Sequence, residues 1–228
     1  MQPRHPLAAV LSEARLNAYR LDGDGDREAL ARYLWNLELC EAFYPSFHVL
    51  EVALRNSLDR AITQRTGSNR WFEPNHAVLD PSEQREVDLV VLNLRRRGRG
   101  RDPHPGQVVA ALNFGFWTSL FKRSYEHGQR LWPTLLVTAL PGMPRRQRTR
   151  AAAAGRFDEM RRTRNRVFHH EPIWNRDPSR LRLDLLEAIE WVSPNARKLV
   201  DGIDRSGQFV EFELERAMAL LDGIDGGV

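Results

Sequence analysis

Cysteine occurs once in the 228 residues, as Cys40, so no disulfide closes within the chain and a lone thiol fits a reducing compartment. Long apolar runs are scarce too. The longest, Leu131 to Leu140, is interrupted by Pro133 and falls far short of the roughly 20 residues a membrane-spanning helix needs. The stretch from Met1 to Pro6 is polar and unlike the start of a secretory signal, so a cytoplasmic protein away from membranes is expected. Sustained period-two alternation and Asn-Gly hairpin turns are missing, which argues against a β fold. There is no Walker loop, no G-x-S-x-G elbow and no Cys-x-x-Cys pair, so the commonest nucleotide-hydrolase, serine-hydrolase and thiol-redox signatures are excluded. Lysine is nearly lacking: only Lys122 and Lys198 stand among 34 basic residues.

What is present is arginine, and it is clustered. The net charge is only +4, yet Arg95, Arg96, Arg97, Arg99 and Arg101 form one run. Arg145, Arg146, Arg148, Arg150, Arg156, Arg161, Arg162, Arg164 and Arg166 dominate another, opposed only by Asp158 and Glu159. Such clustering suits a polyanion, and Arg95, Arg96, Arg97, Arg161, Arg162 and Arg166 are the candidate RNA-binding residues. A solvated charged face and the codon bias of a GC-rich genome account for the same runs. With 42% hydrophobic and 28% charged residues the composition is that of an ordinary globular protein. A single all-helical domain over residues 1–228 is expected, with one internal boundary candidate in the Gly- and Pro-rich loop at 95–106.

The apolar spacing predicts helices throughout. A first short helix is expected near Leu7 to Tyr19, then a loop at Asp22 to Asp26 with Asp26 capping a helix that buries Leu30, Leu34 and Leu37. Pro45 should break or kink it before Phe47, Leu50, Leu54, Leu58 and Ile62 bury a second stripe that ends near Gly67. Trp71 and Phe72 read as anchors, and Pro81 or Ser82 starts a helix to Leu94. One helix should carry Val109, Leu112, Phe116 and Leu120. The turn at Pro141 to Pro144 leads to a helix from about Arg145 to His170, where Pro172 forces a stop. Asp177 or Ser179 caps a further helix burying Leu181, Leu185, Ile189 and Val192. Ser193 and Pro194 then reset the chain, and a last helix is expected from about Gln208 to Leu221.

The most informative segment is Arg164-Asn165-Arg166-Val167-Phe168-His169-His170. Phe157 and Met160 begin an apolar stripe whose next step falls on Arg164 before Val167 and Phe168 resume it, so Arg164 is expected to face inward. An inward guanidinium needs a partner or a cavity. Asn165 and His169, four apart, share the adjoining face, so an amide, an imidazole and a guanidinium are expected to converge as a phosphate site. The plain alternative makes His169 and His170 helix C-caps and Arg164 the partner of Glu51 in a structural ion pair. Glu51, Arg55 and Asn56 are the expected supporting residues.

Neither a metal nor another cofactor is expected. His169-His170-Glu171 lacks the HExxH spacing, and the Asp22-Asp24-Asp26 loop has Arg27 and Tyr33 where a calcium loop needs glycine and glutamate. Phe114, Phe116, Trp117 and Phe121 are aromatic residues at helical spacing, which points to core packing ahead of base stacking.

Arginine, a polar residue, three further residues and histidine, as in Arg164 to His169, resembles the mark of HEPN-domain ribonucleases. Phe47 to Asn56 is similar to the early helix of the Abi-like (abortive infection) branch of that superfamily, Leu112 to Phe121 to its central aromatic helix, and His169 to Ile173 to the end of its catalytic helix. The three blocks span roughly residues 26 to 200. The resemblance implies an all-α, HEPN-like helical bundle with additional helices and a metal-independent RNA endonuclease acting as a toxin in phage defence. Arg164, Asn165 and His169 would be catalytic, and His170, Glu51, Arg55 and Asn56 catalytic or supporting. The partners implied are an RNA substrate, a second copy in a homodimer, and an antitoxin, either protein or small RNA. A non-catalytic RNA-binding helical protein and a protein-interaction HEPN subunit are the alternative readings.

Overall fold

The computed structural model describes Leu7, residues 10–209, Glu211 and residues 213–225, and among these every regular element is a helix. The chain forms two compact units, each discontinuous in sequence: Met1–Phe47, Thr163–Asp184 and Gly202–Val228 make the first, and His48–Arg162 with Leu185–Asp201 the second. The loop at 95–106 lies inside the second.

In the first unit, Ser12 caps α1 (Glu13–Asn17) by accepting from the Arg15 amide at 3.2 Å. The longest helix, α2 (Asp26–Thr66), starts one residue earlier than a cap at Asp26 would give. Gly25 takes the cap position: its carbonyl accepts from the Ala29 amide, and its own N–H donates to the Glu28 carboxylate at 3.0 Å. Asp26 instead pairs with Arg20. Leu30 is buried, but Leu37 is exposed, because the buried row passes through Ala31, Trp35, Leu39 and Phe43 on another face. Leu16, Tyr19, Ala29, Leu30 and Leu221 form a core into which Trp174 packs, stacked on Tyr19 with ring centroids 6.3 Å apart. At its edge Arg32, 8% exposed, donates to the Tyr19 carbonyl at 2.9 Å, pairs with Asp24 and lies 5.6 Å over the Trp174 ring.

Pro45 does not interrupt α2, which runs 41 residues through it. A proline removes one backbone hydrogen bond and crowds the turn before it. The apolar residues on either side, Phe43, Phe47 and Leu50, are all fully buried, so their packing outweighs that local loss. The expected second stripe of Phe47, Leu50, Leu54, Leu58 and Ile62 is buried throughout, and Gly67 ends the helix in the left-handed region at φ 71°.

The second unit carries α3 (Pro81–Arg97), α4 (Pro105–Ala111), α5 (Phe114–Ser119) and the short α6 (Leu136–Ala139). Arg95, Arg96 and Arg97 form the last turn of α3, where cations complement the helix dipole, and are not loop residues. Leu112 does not continue into the Phe116 helix. Asn113 breaks the run by accepting from the Phe116 amide at 3.0 Å, an N-cap hidden inside an apolar pattern. Trp71, Phe116, Trp117, Phe121, Trp132 and Phe157 are essentially unexposed, with Phe121 stacked on Trp132 at 4.7 Å and on Phe157 at 5.1 Å. The aromatic cluster is therefore core. Buried Glu83 is held by Lys122 and by the Tyr125 hydroxyl at 3.0 Å; burial pushes its carboxyl up, but these bonds and those of Ser82 and Ser119 outweigh it and leave it below its ordinary value.

Arg145 to Gln147 form only a 3-10 turn, and α7 runs from Arg150 to Phe168, with Thr149 accepting from the Ala152 amide at 3.1 Å. Asp177 caps α8 (Pro178–Val192) by accepting from the Arg180 amide, and Leu181, Leu185, Ile189 and Val192 are buried as expected. After Ser193 the chain resumes as α9 (Pro194–Ile203). The last helix, α10 (Leu214–Asp225), starts six residues beyond the expected Gln208, which belongs to a 3-10 turn. No helix among the described residues is long and apolar enough to cross a membrane.

Candidate functional site

The buried row of α7 runs through Ala153, Phe157, Met160, Thr163 and Val167, all at most 1% exposed. Thr163, and not Arg164, is thus the inward residue between Met160 and Val167. Successive helical residues are rotated by about 100°, so Arg164 falls on the flank of this row, half-buried. Its guanidinium carbon sits 4.1 Å from the centre of the Phe168 ring, four residues on, and one guanidinium nitrogen lies 3.5 Å from the Asn165 side-chain oxygen. The Phe168 ring packs edge-on against Tyr44 of α2, centroids 4.5 Å apart. A guanidinium over an aromatic face is attracted by the ring quadrupole and loses side-chain freedom there. Arg164 is therefore oriented while part of it stays accessible.

His169 and His170 close the helix. The Glu171 amide donates to the Arg166 carbonyl at 2.8 Å and the His170 amide to the Val167 carbonyl at 3.3 Å, the paired bonds of a Schellman ending. His169 is its C-cap, and His170, with φ 58°, takes the left-handed position where glycine is usual. Both imidazoles are exposed. Helix α3 closes identically, with Arg99 at φ 55° and the Gly100 amide on the Arg95 carbonyl, so this ending is a recurrent way of stopping helices in this chain.

The segment beyond is fixed by a residue that the sequence pattern does not single out. Asn36, 1% exposed on α2, accepts with its side-chain oxygen from the amides of Ile173 and Trp174 at 2.8 and 3.0 Å. Arg15 donates to the His170 carbonyl. The signal for Asn36 is an amide placed among residues whose neighbours Trp35, Leu39 and Cys40 are all buried. Near it, burial pushes the Cys40 thiol up to about 11, against a small opposing effect of its contact with Asn36.

Several expected RNA-binding arginines are engaged by the chain's own acids. Arg161 and Arg162 both reach Asp158, at 2.7 and 3.3 Å; Arg166 lies 3.7 Å from Glu171; Arg95 pairs with Asp102 at 2.6 Å. Arg96 and Arg97 are exposed. Exposed pairs of this kind contribute at most about 1 kcal/mol each and are readily exchanged for a phosphate. Glu51, Arg55 and Asn56 lie on the stretch of α2 that belongs to the second unit, whereas Arg164 to His170 belong to the first. Arg55 contacts its neighbour Asn56 at 3.3 Å, and Asn56 is exposed. Among the described residues no three His, Cys, Asp or Glu side chains are grouped as a metal site would require. No protein-family model matches the chain, and no curated protein or solved structure matches it.

Proposed function

We propose that the protein is a metal-independent RNA endonuclease of HEPN type, acting as a homodimer in phage defence or in growth arrest held in check by an antitoxin. One observation carries this reading: at the end of α7 an arginine clamped on Phe168 and an asparagine stand one turn before an exposed histidine. RNA supplies its own nucleophile in the 2′-hydroxyl. Attack on the adjacent phosphorus needs a proton acceptor, a proton donor for the departing 5′ oxygen, and positive charge on the crowded intermediate. His169 is assigned the proton transfer, since imidazole titrates nearest neutrality of the ordinary side chains. Arg164 presents a planar fork to the phosphate oxygens, Asn165 orients substrate or imidazole, and His170 is the second proton carrier. One such set per chain is sparse, which favours a composite cleft of two copies about a two-fold axis.

The Schellman geometry at His169 and His170 favours a second reading, a non-catalytic RNA-binding protein in which the histidines only end the helix. Purified protein incubated with RNA separates the two. The endonuclease leaves 2′,3′-cyclic phosphate and 5′-hydroxyl ends, is indifferent to EDTA, and stops at a position where deoxyribose replaces ribose. His169→Ala abolishes cutting. Affinity without cleavage, or cleavage of the deoxy-substituted position, refutes the assignment.

A further inference from the structure

The Tyr44 ring that supports Phe168 has a second role available, because it also lines a groove of about 620 Å³ between α2 and the turn that follows α9. All residues of this groove belong to the first unit. Tyr44 and Phe209 supply its aromatic walls, and Glu38, Glu41 and Arg205 its charged groups. Phe209 is fixed from two sides: its carbonyl accepts from the Trp35 indole at 2.9 Å, and Arg216 lies 5.0 Å over its ring. Glu38 is committed to Arg216 at 2.8 Å. Among the described residues neither Glu41 nor Arg205 joins an ion pair, and both are exposed.

An unstacked base held against an aromatic ring and read along its edges is how single-stranded RNA is recognised in sequence-specific sites. The edge groups here select one base. A carboxylate accepts two parallel N–H bonds, and only guanine offers two adjacent donors, N1–H and N2–H, on its pairing edge. Adenine and cytosine place a lone-pair nitrogen beside their amino group, which a carboxylate repels, and uracil has a single N–H between two carbonyl oxygens. An arginine fork matches the O6 and N7 acceptors on the other edge of guanine. The groove therefore carries complements for both edges of that base and stacking surface for its face.

We infer that the groove at Tyr44 is a guanine subsite, with Glu41 reading N1–H and N2–H, Arg205 reading O6 and N7, and Tyr44 stacking the base. The chain of contacts from Arg164 to Phe168 to Tyr44 sets the groove beside the proposed phosphate residue, so the bound guanosine neighbours the scissile phosphate; this placement rests on the endonuclease reading, the base recognition does not.

The test is calorimetric titration of the full chain with 3′-GMP, 3′-AMP, 3′-CMP and 3′-UMP, followed by cleavage of RNA oligonucleotides that contain one guanosine or none. The expected result is 3′-GMP bound at least about tenfold more tightly than the others. Glu41→Gln abolishes that preference, since an amide offers one acceptor in place of two. Tyr44→Ala weakens 3′-GMP and 3′-AMP alike by about tenfold or more, and Tyr44→Phe, which keeps the ring and the contact with Phe168, retains the preference. Equal affinity for all four nucleotides, or a preference that survives Glu41→Gln, overturns the subsite. Selective 3′-GMP binding without any RNA cleavage keeps the subsite and removes the endonuclease. Cleavage indifferent to guanosine, with four equal affinities, does the reverse.

Discussion

His170→Gly separates the structural from the chemical role of the motif's end. At φ 58° an L-residue carries a steric cost of about 1–2 kcal/mol that glycine escapes, and the His170 imidazole is exposed, so its removal costs little packing. Glycine also gains freedom in the unfolded chain, which returns roughly 0.5–1 kcal/mol of that benefit. Both hydrogen bonds of the helix ending are made by backbone groups, the Glu171 and His170 amides, and survive the change. The net expectation is a gain of about 0.5–1 kcal/mol, or about 1–4 °C in melting temperature for a chain of this length. Urea unfolding followed by tryptophan fluorescence should show a higher midpoint at unchanged slope. His169→Ala, at the cap, should lie within about 0.5 kcal/mol of the parent while losing RNA cleavage. A lower midpoint for His170→Gly would refute the reasoning, because it would mean that the imidazole makes a native interaction stronger than the strain of its backbone.

Three further outcomes are expected. In Gly142→Ala the added Cβ would sit 1.9 Å from the Glu190 carbonyl oxygen, where backbone has to move, so a loss of about 1–3 kcal/mol or more should appear in urea unfolding. The Asp24 carboxyl is held below its ordinary value by the hydrogen bond from Arg32, so its contribution is full above the unfolded value near 4 and is lost as pH falls through the lower folded value; Asp24→Asn should therefore be less stable than the parent at pH 7 and converge with it in thermal melts taken well below pH 4. Cys40, 3% exposed and with its thiol pushed up to about 11, should react with a disulfide reagent at pH 8 only as the chain unfolds, and fast labelling of native protein would contradict that burial.

The helical class and most buried rows are legible in the sequence because period 3.6 survives wherever a helix has one apolar face. Phe47 to Ile62 and Leu181 to Val192 are cases in point. The misplaced boundaries have local causes that apolar spacing does not register. Asn113 caps a helix through its side chain inside a run that reads as unbroken, and Gly25 uses the backbone and Glu28 where an aspartate cap was expected. Pro45 shows the opposite imbalance, a strong local signal overridden by burial on both sides of it.

At the motif, the sequence places Arg164, Asn165 and His169 on one helix end but assigns the wrong residue to the core. Counting only apolar residues skips Thr163, whose hydroxyl can be satisfied by a carbonyl of its own helix and so can occupy a buried position at little cost. With Thr163 inward, Arg164 lies half-buried on the flank of the row and is not a guanidinium enclosed in the core. The Phe168 ring holds the Arg164 guanidinium in one orientation from its face, and the ring itself takes up none of the N–H donors, which lie in the guanidinium plane. The Tyr44 ring that braces Phe168 from the other side is then doubly informative, since neither aromatic residue falls in the motif's polar pattern and each fixes where that pattern points.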